Sequence, residues 1–227
     1  MAYSRYAIYF MPDGAFAEFG AHWLGWDPHT RTETKGLAIE GLPRPREILT
    51  KSPQKYGLHA TLKAPFRLAE GETEAGLISA FNGFCKTHKT ACAGQLRFSN
   101  MGGFLSLRPS SPLKALNQLA ADCVTAFDRF RSPATPQELA RRRKANLSAA
   151  QDDLLRTWGY PYVMDEFRFH ITLTGRVDGS EAAQITCALE PVVNPLLRNP
   201  FTIADLVLAA EGQDGRFCIL ERAKLLI

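Results

Sequence analysis

The sequence has little of what marks several large classes of protein. Its five cysteines are widely spaced and include no C-x-x-C pair, which argues against a disulfide framework and favours a reducing compartment. No apolar run approaches the roughly 20 residues of a transmembrane helix. The N-terminus does not have the shape of a signal peptide. We therefore expect a soluble cytoplasmic protein with no membrane partner.

Three common enzyme motifs are also missing. The chain contains no G-x-x-x-x-G-K-[ST] phosphate loop, no G-x-S-x-G nucleophile turn and no H-E-x-x-H zinc motif. The net charge of +4 favours anionic ligands only weakly and does not by itself indicate nucleic acid. With 227 residues, 45% of them hydrophobic, the chain is long enough for one large domain or two small lobes.

Apolar periodicity and turn residues predict alternating strands and helices. Strands are predicted at 5–11, 56–64, 95–100, 104–108, 166–174, 202–210 and 216–223. Helices are predicted at 16–24, 73–88, 111–130, 148–158 and 180–193, with a further short helix ending in the basic run 141–144. Residues 25–55 show no periodicity and read as a long loop. Strand, helix and hairpin follow one another twice in outline, which predicts an α+β fold with two similar lobes.

Individual residues predict several helix ends. Ser111 is the expected N-cap of the helix at 111–130, with Pro112 at its first position. Thr135 and Glu138 have the spacing of a capping box, and Gly159 is a typical C-terminal stop.

Two segments of the chain share an uncommon pattern. Residues 56–62 read Tyr-Gly-Leu-His-Ala-Thr-Leu, and residues 167–173 read Phe-Arg-Phe-His-Ile-Thr-Leu. A third His-x-Thr, at His88, lacks both the flanks and the strand context, so we interpret it as an exposed helix end. The shared flanks therefore carry the signal, because an isolated His-x-Thr triplet is weak evidence.

Strand geometry predicts which of these side chains point together, since residues two apart lie on the same face. Each strand then carries a histidine, a hydroxyl and a cation on its polar face: His59, Thr61 and Lys63 on the first, and Arg168, His170 and Thr172 on the second. Two imidazoles can divide general acid and general base work near neutral pH. Threonine hydroxyls and cations can bind a phosphoryl group and stabilise its growing charge. The set suits hydrolysis or transfer at a phosphodiester, especially a cyclic one. No third ligand for zinc sits at suitable spacing on these strands.

The paired segments resemble those of the 2H (two-histidine) phosphoesterase superfamily. Residues 5–10, 56–67, 158–163 and 167–175 more narrowly resemble a bacterial branch often encoded near phosphonate-utilisation operons. The resemblance implies one bilobal α+β domain over 1–227, with two mainly antiparallel sheets facing a central cleft and helices outside. It implies catalysis by His59, Thr61, His170 and Thr172 without metal or cofactor, and leaves open which histidine is the base.

The implied substrate is a small phosphorylated molecule or nucleotide. A ribose cyclic phosphate is a candidate because phosphonate breakdown passes through one, RNA is a further candidate, and we expect a monomer. Alternatives stay open for several residues. Lys63 and Arg168 either hold the anion or form rim ion pairs. Tyr9, which shares a strand face with Arg5, either stacks on the substrate or packs. The run 141–144 either guides an anionic substrate or is a solvated helix face. The alternative function is a nucleotide or RNA-binding module without turnover; a scaffold protein is a third.

Overall fold

The computed structural model describes residues 3–111 and 113–227. The strands in these ranges are β1 (Arg5–Phe10), β2 (Trp26–Asp27), β3 (Thr32–Glu33), β4 (Ala60–Phe66), β5 (Ala91–Gly94), β6 (Leu96–Asn100), β7 (Phe104–Pro109), β8 (Ile171–Arg176), β9 (Phe201–Ile203), β10 (Asp205–Glu211) and β11 (Phe217–Lys224). The helices are α1 (Gly14–Leu24), α2 (Arg46–Thr50), α3 (Glu74–Cys85), α4 (Lys114–Ala126), α5 (Pro136–Arg143), α6 (Ala149–Trp158) and α7 (Gly179–Val193). This mixture of helices and strands confirms the predicted α+β class.

One sheet joins the two ends of the chain. Its strand order is β11-β10-β1-β4, and each neighbouring pair is antiparallel. Alternation along β1 divides its side chains between two environments. Tyr6, Ile8 and Phe10 pack in the main apolar core, whereas Ala7 and Tyr9 belong to a smaller cluster on the other face. This second face is the one that carries the candidate site.

A second, three-stranded sheet has the order β6-β7-β8 and is also antiparallel. Its first two strands form the predicted hairpin, with Gly102 and Gly103 at φ values of 62° and 106°, which glycine adopts without steric cost. Two smaller pairs, β2–β3 and β5–β9, complete the strand pairing of the described residues. Neither pair was predicted, because β2 and β3 lie in the supposed loop and β5 has its partner more than 100 residues away.

The main core contains side chains from both sheets, including Ile8 and Leu62 from the first and Leu107 and Leu173 from the second. Trp23 of α1 is fully buried between them. Its indole nitrogen donates a hydrogen bond to the backbone carbonyl of Leu173, at 2.8 Å. Helix α1 therefore joins the first sheet to the strand that carries the second histidine segment.

The predicted helices are present, with corrected ends. The capping box of Thr135 and Glu138 is formed, and Gly159 ends α6 in the left-handed region at φ 73°. Helix α4 begins at Lys114, so Ser111 is not its N-cap; Pro112 lies outside the described residues. Helix α2 lies within the segment predicted as loop. No helix in the described ranges is both long and apolar enough to span a bilayer.

Candidate active site

A cavity of about 320 Å³ is lined by both sheets. Six of the eight residues predicted for the site lie in its wall: Arg5, Tyr9, His59, Thr61, His170 and Thr172. The two histidine segments, more than 100 residues apart in sequence, thus meet at one concave surface. Lys63 and Arg168 are not in this wall.

Both histidines are held in the same way. Each lies one residue before its strand, His59 before β4 and His170 before β8, rather than inside it as predicted. The ring Nδ1 of His59 is 2.9 Å from the carbonyl oxygen of Gly57, and Nδ1 of His170 is 2.7 Å from that of Arg168. A carbonyl oxygen only accepts, so Nδ1 carries the proton in both rings. In the neutral rings, Nε2 is then the unprotonated nitrogen available for chemistry.

Gly57 has a backbone conformation that supports this arrangement. Its φ of 72° favours glycine, and a Cβ built there would lie 2.7 Å from Cγ of Pro28. The turn places the Gly57 carbonyl against the His59 ring two residues later. A residue with a side chain would have to move Pro28 or the turn, and with it the imidazole.

Burial keeps both imidazoles neutral in the unliganded protein. It lowers the pKa of His59 to about 4, against the opposing effect of the Gly57 carbonyl and with a small further lowering from His170. Burial also lowers the pKa of His170, with a smaller lowering from the nearby Arg108 guanidinium. The His59 ring lies 4.3 Å from the Tyr9 ring and 5.3 Å from the Tyr56 ring, measured between centroids. These aromatic neighbours exclude water from one side of the His59 ring.

The two threonines are exposed enough to contact a ligand. Thr61 pairs with Tyr9 across β1 and β4, and Thr172 pairs with Ser106 across β7 and β8. In the part of the chain that the structure describes, neither hydroxyl has a hydrogen-bond partner. Thr174, two residues further along β8, differs because its hydroxyl accepts a bond from the backbone N–H of Leu105 at 2.9 Å. Thr61 and Thr172 therefore keep donors for an anion, while Thr174 maintains the strand pairing.

Arg5 and Tyr9 lie in the wall as predicted, but in different states. Both ends of the Arg5 guanidinium bind the carboxylate of Glu211, which neutralises its charge. The Tyr9 side chain is fully buried, and its hydroxyl has no hydrogen-bond partner among the described residues. Burial raises the pKa of Tyr9 well above its ordinary value, so this hydroxyl remains a neutral donor. A buried hydroxyl without a protein partner is uncommon in folded proteins.

Lys63 lies on the opposite face of its strand, so the predicted facing is wrong for this residue. Tyr9 pairs with Thr61 but Ile8 pairs with Lys63, which inserts one extra residue on β4 at this point. Such a β-bulge reverses the alternation of faces beyond it. The Lys63 ammonium is buried under α4, where it donates to the carbonyl of Val124 at 2.8 Å. Burial lowers the pKa of Lys63 to about 8, while Asp128 opposes that shift.

Arg168 is also directed away from the cavity. It precedes β8 by three residues, so strand parity does not extend to it. Its guanidinium donates to the backbone carbonyls of Asp165 and Phe167, each at 2.7 Å, and it lines a separate surface pocket with Arg97 and Arg108. The rejected third motif lies outside the cavity as well. His88 follows α3 and stacks on Phe84, with ring centroids 3.7 Å apart.

Several residues of the wall were not predicted. Arg142 and Tyr160 come from α5 and from the segment after α6, and Phe104 and Arg176 come from the paired ends of β7 and β8. Arg142 belongs to the basic run 141–144, for which guidance of an anionic substrate was one of the two interpretations. Phe104 and Arg176 carry no local signal, since only the strand pairing brings them to the site. Nowhere in residues 3–111 and 113–227 do three His, Cys, Asp or Glu side chains cluster closely enough to hold a metal ion.

Comparison of the sequence with known proteins finds one family and two curated relatives. Residues 61–218 match a family described as protein of unknown function (DUF1045). The chain is 42% identical over 219 residues to a Janthinobacterium sp. (strain Marseille) protein named ribose 1,5-bisphosphate phosphokinase PhnN, covering 93% of this chain and 48% of that protein. A protein of the same name from Laribacter hongkongensis (strain HLHK9) is 34% identical over 177 residues, covering 77% of this chain and 40% of that protein. The chain thus spans less than half the length of these relatives.

Comparison of the fold with solved structures finds similar chains. A crystal structure described as a phosphoesterase is 17% identical, with a TM-score of 0.48. Structures of E. coli LigT complexed with NADP+ and with 3′-AMP are 17% and 16% identical, with TM-scores of 0.45 and 0.46. Each comparison covers 100% of both chains.

Proposed function

Since this chain belongs to the DUF1045 family, whose description assigns no activity, we propose its function from the cavity: it is a metal-independent phosphoesterase that opens a small cyclic phosphodiester. One observation carries the proposal. Two half-buried histidines, each with Nδ1 bound to a backbone carbonyl, line the same cavity beside two threonine hydroxyls that have no hydrogen-bond partner among the described residues. General acid–base catalysis at phosphorus uses such a pair of groups.

We assign the base to His59 and the acid to His170. Nε2 of neutral His59 removes a proton from water as the water oxygen attacks phosphorus. Nε2–H of protonated His170 gives its proton to the sugar oxygen as the P–O bond of the ring breaks. The product is a phosphate monoester with a free hydroxyl, and proton exchange with solvent restores both imidazoles. The packing of Tyr9 and Tyr56 against His59 supports the assignment, because this burial lowers the pKa of His59 to about 4 and favours the unprotonated ring.

The substrate itself supplies the charge that the acid needs. Burial disfavours an imidazolium in the unliganded cavity, but a bound phosphodiester anion favours it by direct attraction. The hydroxyls of Thr61 and Thr172 donate to the non-bridging oxygens, where negative charge grows in the transition state. Binding and protonation of His170 are thus coupled, and the acid is assembled only when a substrate is present.

A ribose cyclic phosphate is the substrate class that we propose. The names of the two relatives contain ribose 1,5-bisphosphate, which supports phosphorylated ribose as the proposed substrate class. We do not extend the kinase activity in that name to this chain, because the chain spans less than half of those proteins and contains no phosphate-loop motif. We further propose that residues 1–227 act as one unit in a single copy, since one chain contributes both walls of the cavity.

The test is hydrolysis of ribose cyclic phosphates and 2′,3′-cyclic nucleotides by the wild type and by His59→Ala and His170→Ala variants, all with EDTA present. We expect each variant to lose at least about 100-fold in kcat/KM, the usual scale for a general acid or base. His88→Ala is the matched control, because it removes a histidine from the third His-x-Thr, and it should keep full activity.

Two results would contradict the proposal. Full activity in both His59→Ala and His170→Ala would exclude their role in catalysis. Activity that EDTA abolishes would exclude the metal-independent mechanism. Tight binding of the cyclic nucleotides without any product would instead favour the alternative function, a nucleotide or RNA-binding module.

A further inference from the structure

The residues of the basic run 141–144 lie in different surroundings. Arg142 is half-buried and lines the histidine cavity. Arg141 is exposed and lines an adjoining groove that shares Arg5, Pro65 and Arg142 with that cavity. Lys144, at the end of α5, is exposed and lines neither. A purely solvated helix face would not place one arginine in the wall of the site.

Helix α5 is held so that Arg142 faces the cavity. At its start, Glu138 completes the capping box with Thr135 and also binds the Arg67 guanidinium. At its end, Arg143 pairs with Asp152 of α6, with Nε 2.7 Å from the carboxylate. Arg142 lies four residues after Glu138 and so on the same side of the helix. Both ends of α5 are therefore anchored, and the rotation that places Arg142 in the wall is fixed.

Arg142 differs from the other arginines around it. Four of these are paired with carboxylates: Arg5 with Glu211, Arg67 with Glu138, Arg131 with Asp128, and Arg143 with Asp152. Arg142 has no carboxylate within ion-pair distance in the described part of the chain. Its guanidinium instead lies over the ring of Tyr160, with the central carbon 4.6 Å from the ring centroid. A stacked guanidinium keeps its N–H groups available at its edge.

Two tyrosines of the same wall add hydroxyl donors. Tyr160 lines the cavity beside Arg142, and Tyr9 lines it beside His59. The Tyr9 hydroxyl is buried and has no partner among the described residues. Arg142 and the unpaired Tyr9 hydroxyl thus lie in the same wall as the histidines, with Arg176 as a second arginine of that wall. Neither arginine has a carboxylate within ion-pair distance among the described residues.

We propose that Arg142, with the Tyr9 and Tyr160 hydroxyls, binds a second phosphate of the substrate that takes no part in the reaction. The inference rests on the proposed function and deepens it: the preferred substrate is a sugar or nucleoside cyclic phosphate that also carries a phosphate monoester. A planar guanidinium binds such a group through two parallel N–H···O bonds. The mild overall charge of the chain does not predict this preference, because the preference arises from a local group, Arg142 in the cavity wall.

The test compares binding of adenosine 3′,5′-bisphosphate and adenosine 3′-monophosphate by calorimetry, in the wild type and in the Arg142→Gln and Lys144→Gln variants. Both substitutions remove one positive charge from the same stretch of chain, but only Arg142 lies in the wall. We expect the wild type to prefer the bisphosphate by at least about tenfold, the Arg142→Gln variant to lose that preference, and the Lys144→Gln variant to keep it. Unchanged monophosphate affinity in Arg142→Gln shows that the cavity is intact.

Kinetics separates this inference from the proposed function. For a nucleoside 2′,3′-cyclic phosphate with and without a 5′-phosphate, Arg142→Gln should lower kcat/KM about tenfold or more only for the 5′-phosphorylated substrate. If the wild type hydrolyses neither substrate, the proposed function fails, and the calorimetry still decides whether the second phosphate binds at Arg142. The inference is overturned if Arg142→Gln keeps the bisphosphate preference, or if Lys144→Gln loses it equally.

Discussion

Two tyrosines lie on β1, and replacing each with phenylalanine should change the free energy of unfolding in opposite directions. Tyr6 and Tyr9 are both buried, but the Tyr6 hydroxyl donates to the Glu74 carboxylate at 2.8 Å, whereas the Tyr9 hydroxyl has no partner in the described residues. Phenylalanine removes only the hydroxyl and leaves no large cavity. The pair therefore isolates the effect of a hydrogen-bond partner on stability at two positions of one strand.

The expected magnitudes follow from that difference. A buried polar group without a partner costs about 1–3 kcal/mol, so Tyr9→Phe should raise the free energy of unfolding by about 1–2 kcal/mol. A hydrogen bond to a charged group contributes about 1.5–3 kcal/mol, so Tyr6→Phe should lower the free energy of unfolding, by about 1 kcal/mol or more because the pair is partly exposed. In a domain of this size, 1 kcal/mol corresponds to about 2–4 °C in Tm.

The assay is urea denaturation with linear extrapolation in phosphate-free buffer. Phosphate has to be absent because an anion bound at Tyr9 would supply the missing partner and stabilise the wild type. The reasoning is refuted if Tyr9→Phe lowers the free energy of unfolding as much as Tyr6→Phe does. We also expect Tyr9→Phe to weaken binding of adenosine 3′,5′-bisphosphate, so that stability and affinity change in opposite directions.

Three further predictions concern the histidines and their surroundings. The active form needs neutral His59 and protonated His170. Because burial lowers the pKa of His170, kcat/KM should fall as pH rises through a value below the ordinary histidine pKa of 6.5, and a pH profile that rises from 6 to 8 would contradict the assignment. Gly57→Ala should cost more stability than Gly71→Ala, a control with φ +82° and open space around it, and should also lower kcat; equal costs in urea denaturation would count against the Pro28 clash. Lys63→Met should leave kcat/KM within about threefold and lower the free energy of unfolding by about 1–3 kcal/mol, because the Val124 carbonyl loses its donor while Asp128 keeps its ion pair with Arg131. A large loss of activity in a variant that stays folded would instead indicate that Lys63 contacts the substrate.

The sequence predicts which histidines and threonines line the cavity better than it predicts which way the side chains face further along the same strands. The shared flanks of His59 and His170 identify both walls of the cavity, and Thr61 and Thr172 follow by parity over two residues. Parity fails for Lys63 because β4 contains a bulge, which depends on its pairing with β1 and has no marker of its own. Periodicity within one segment cannot reveal such an irregularity, since the cause lies in another strand.

Helix ends were predicted correctly where they depend on side chains close in sequence. The capping box at Thr135 and the stop at Gly159 depend on side chains within three residues, and both are formed. The pairing of β5 with β9 depends on segments more than 100 residues apart and was missed. Arg142 falls between these cases. The basic run was visible in the sequence, but its division into an inward and an outward part depends on the ion pairs that anchor α5.

The hydrogen bond from Trp23 to the Leu173 carbonyl has a consequence for how the protein admits a substrate. Leu173 lies between Thr172 and Thr174 on β8, so α1 is hydrogen-bonded to a strand that forms one wall of the cavity. Rocking the two sheets apart would break this buried bond and leave both partners without water, at a cost of about 1–3 kcal/mol for each group. The packing of the two sheets therefore fixes the distance between the two imidazoles. A substrate therefore has to fit the width that the packed sheets set.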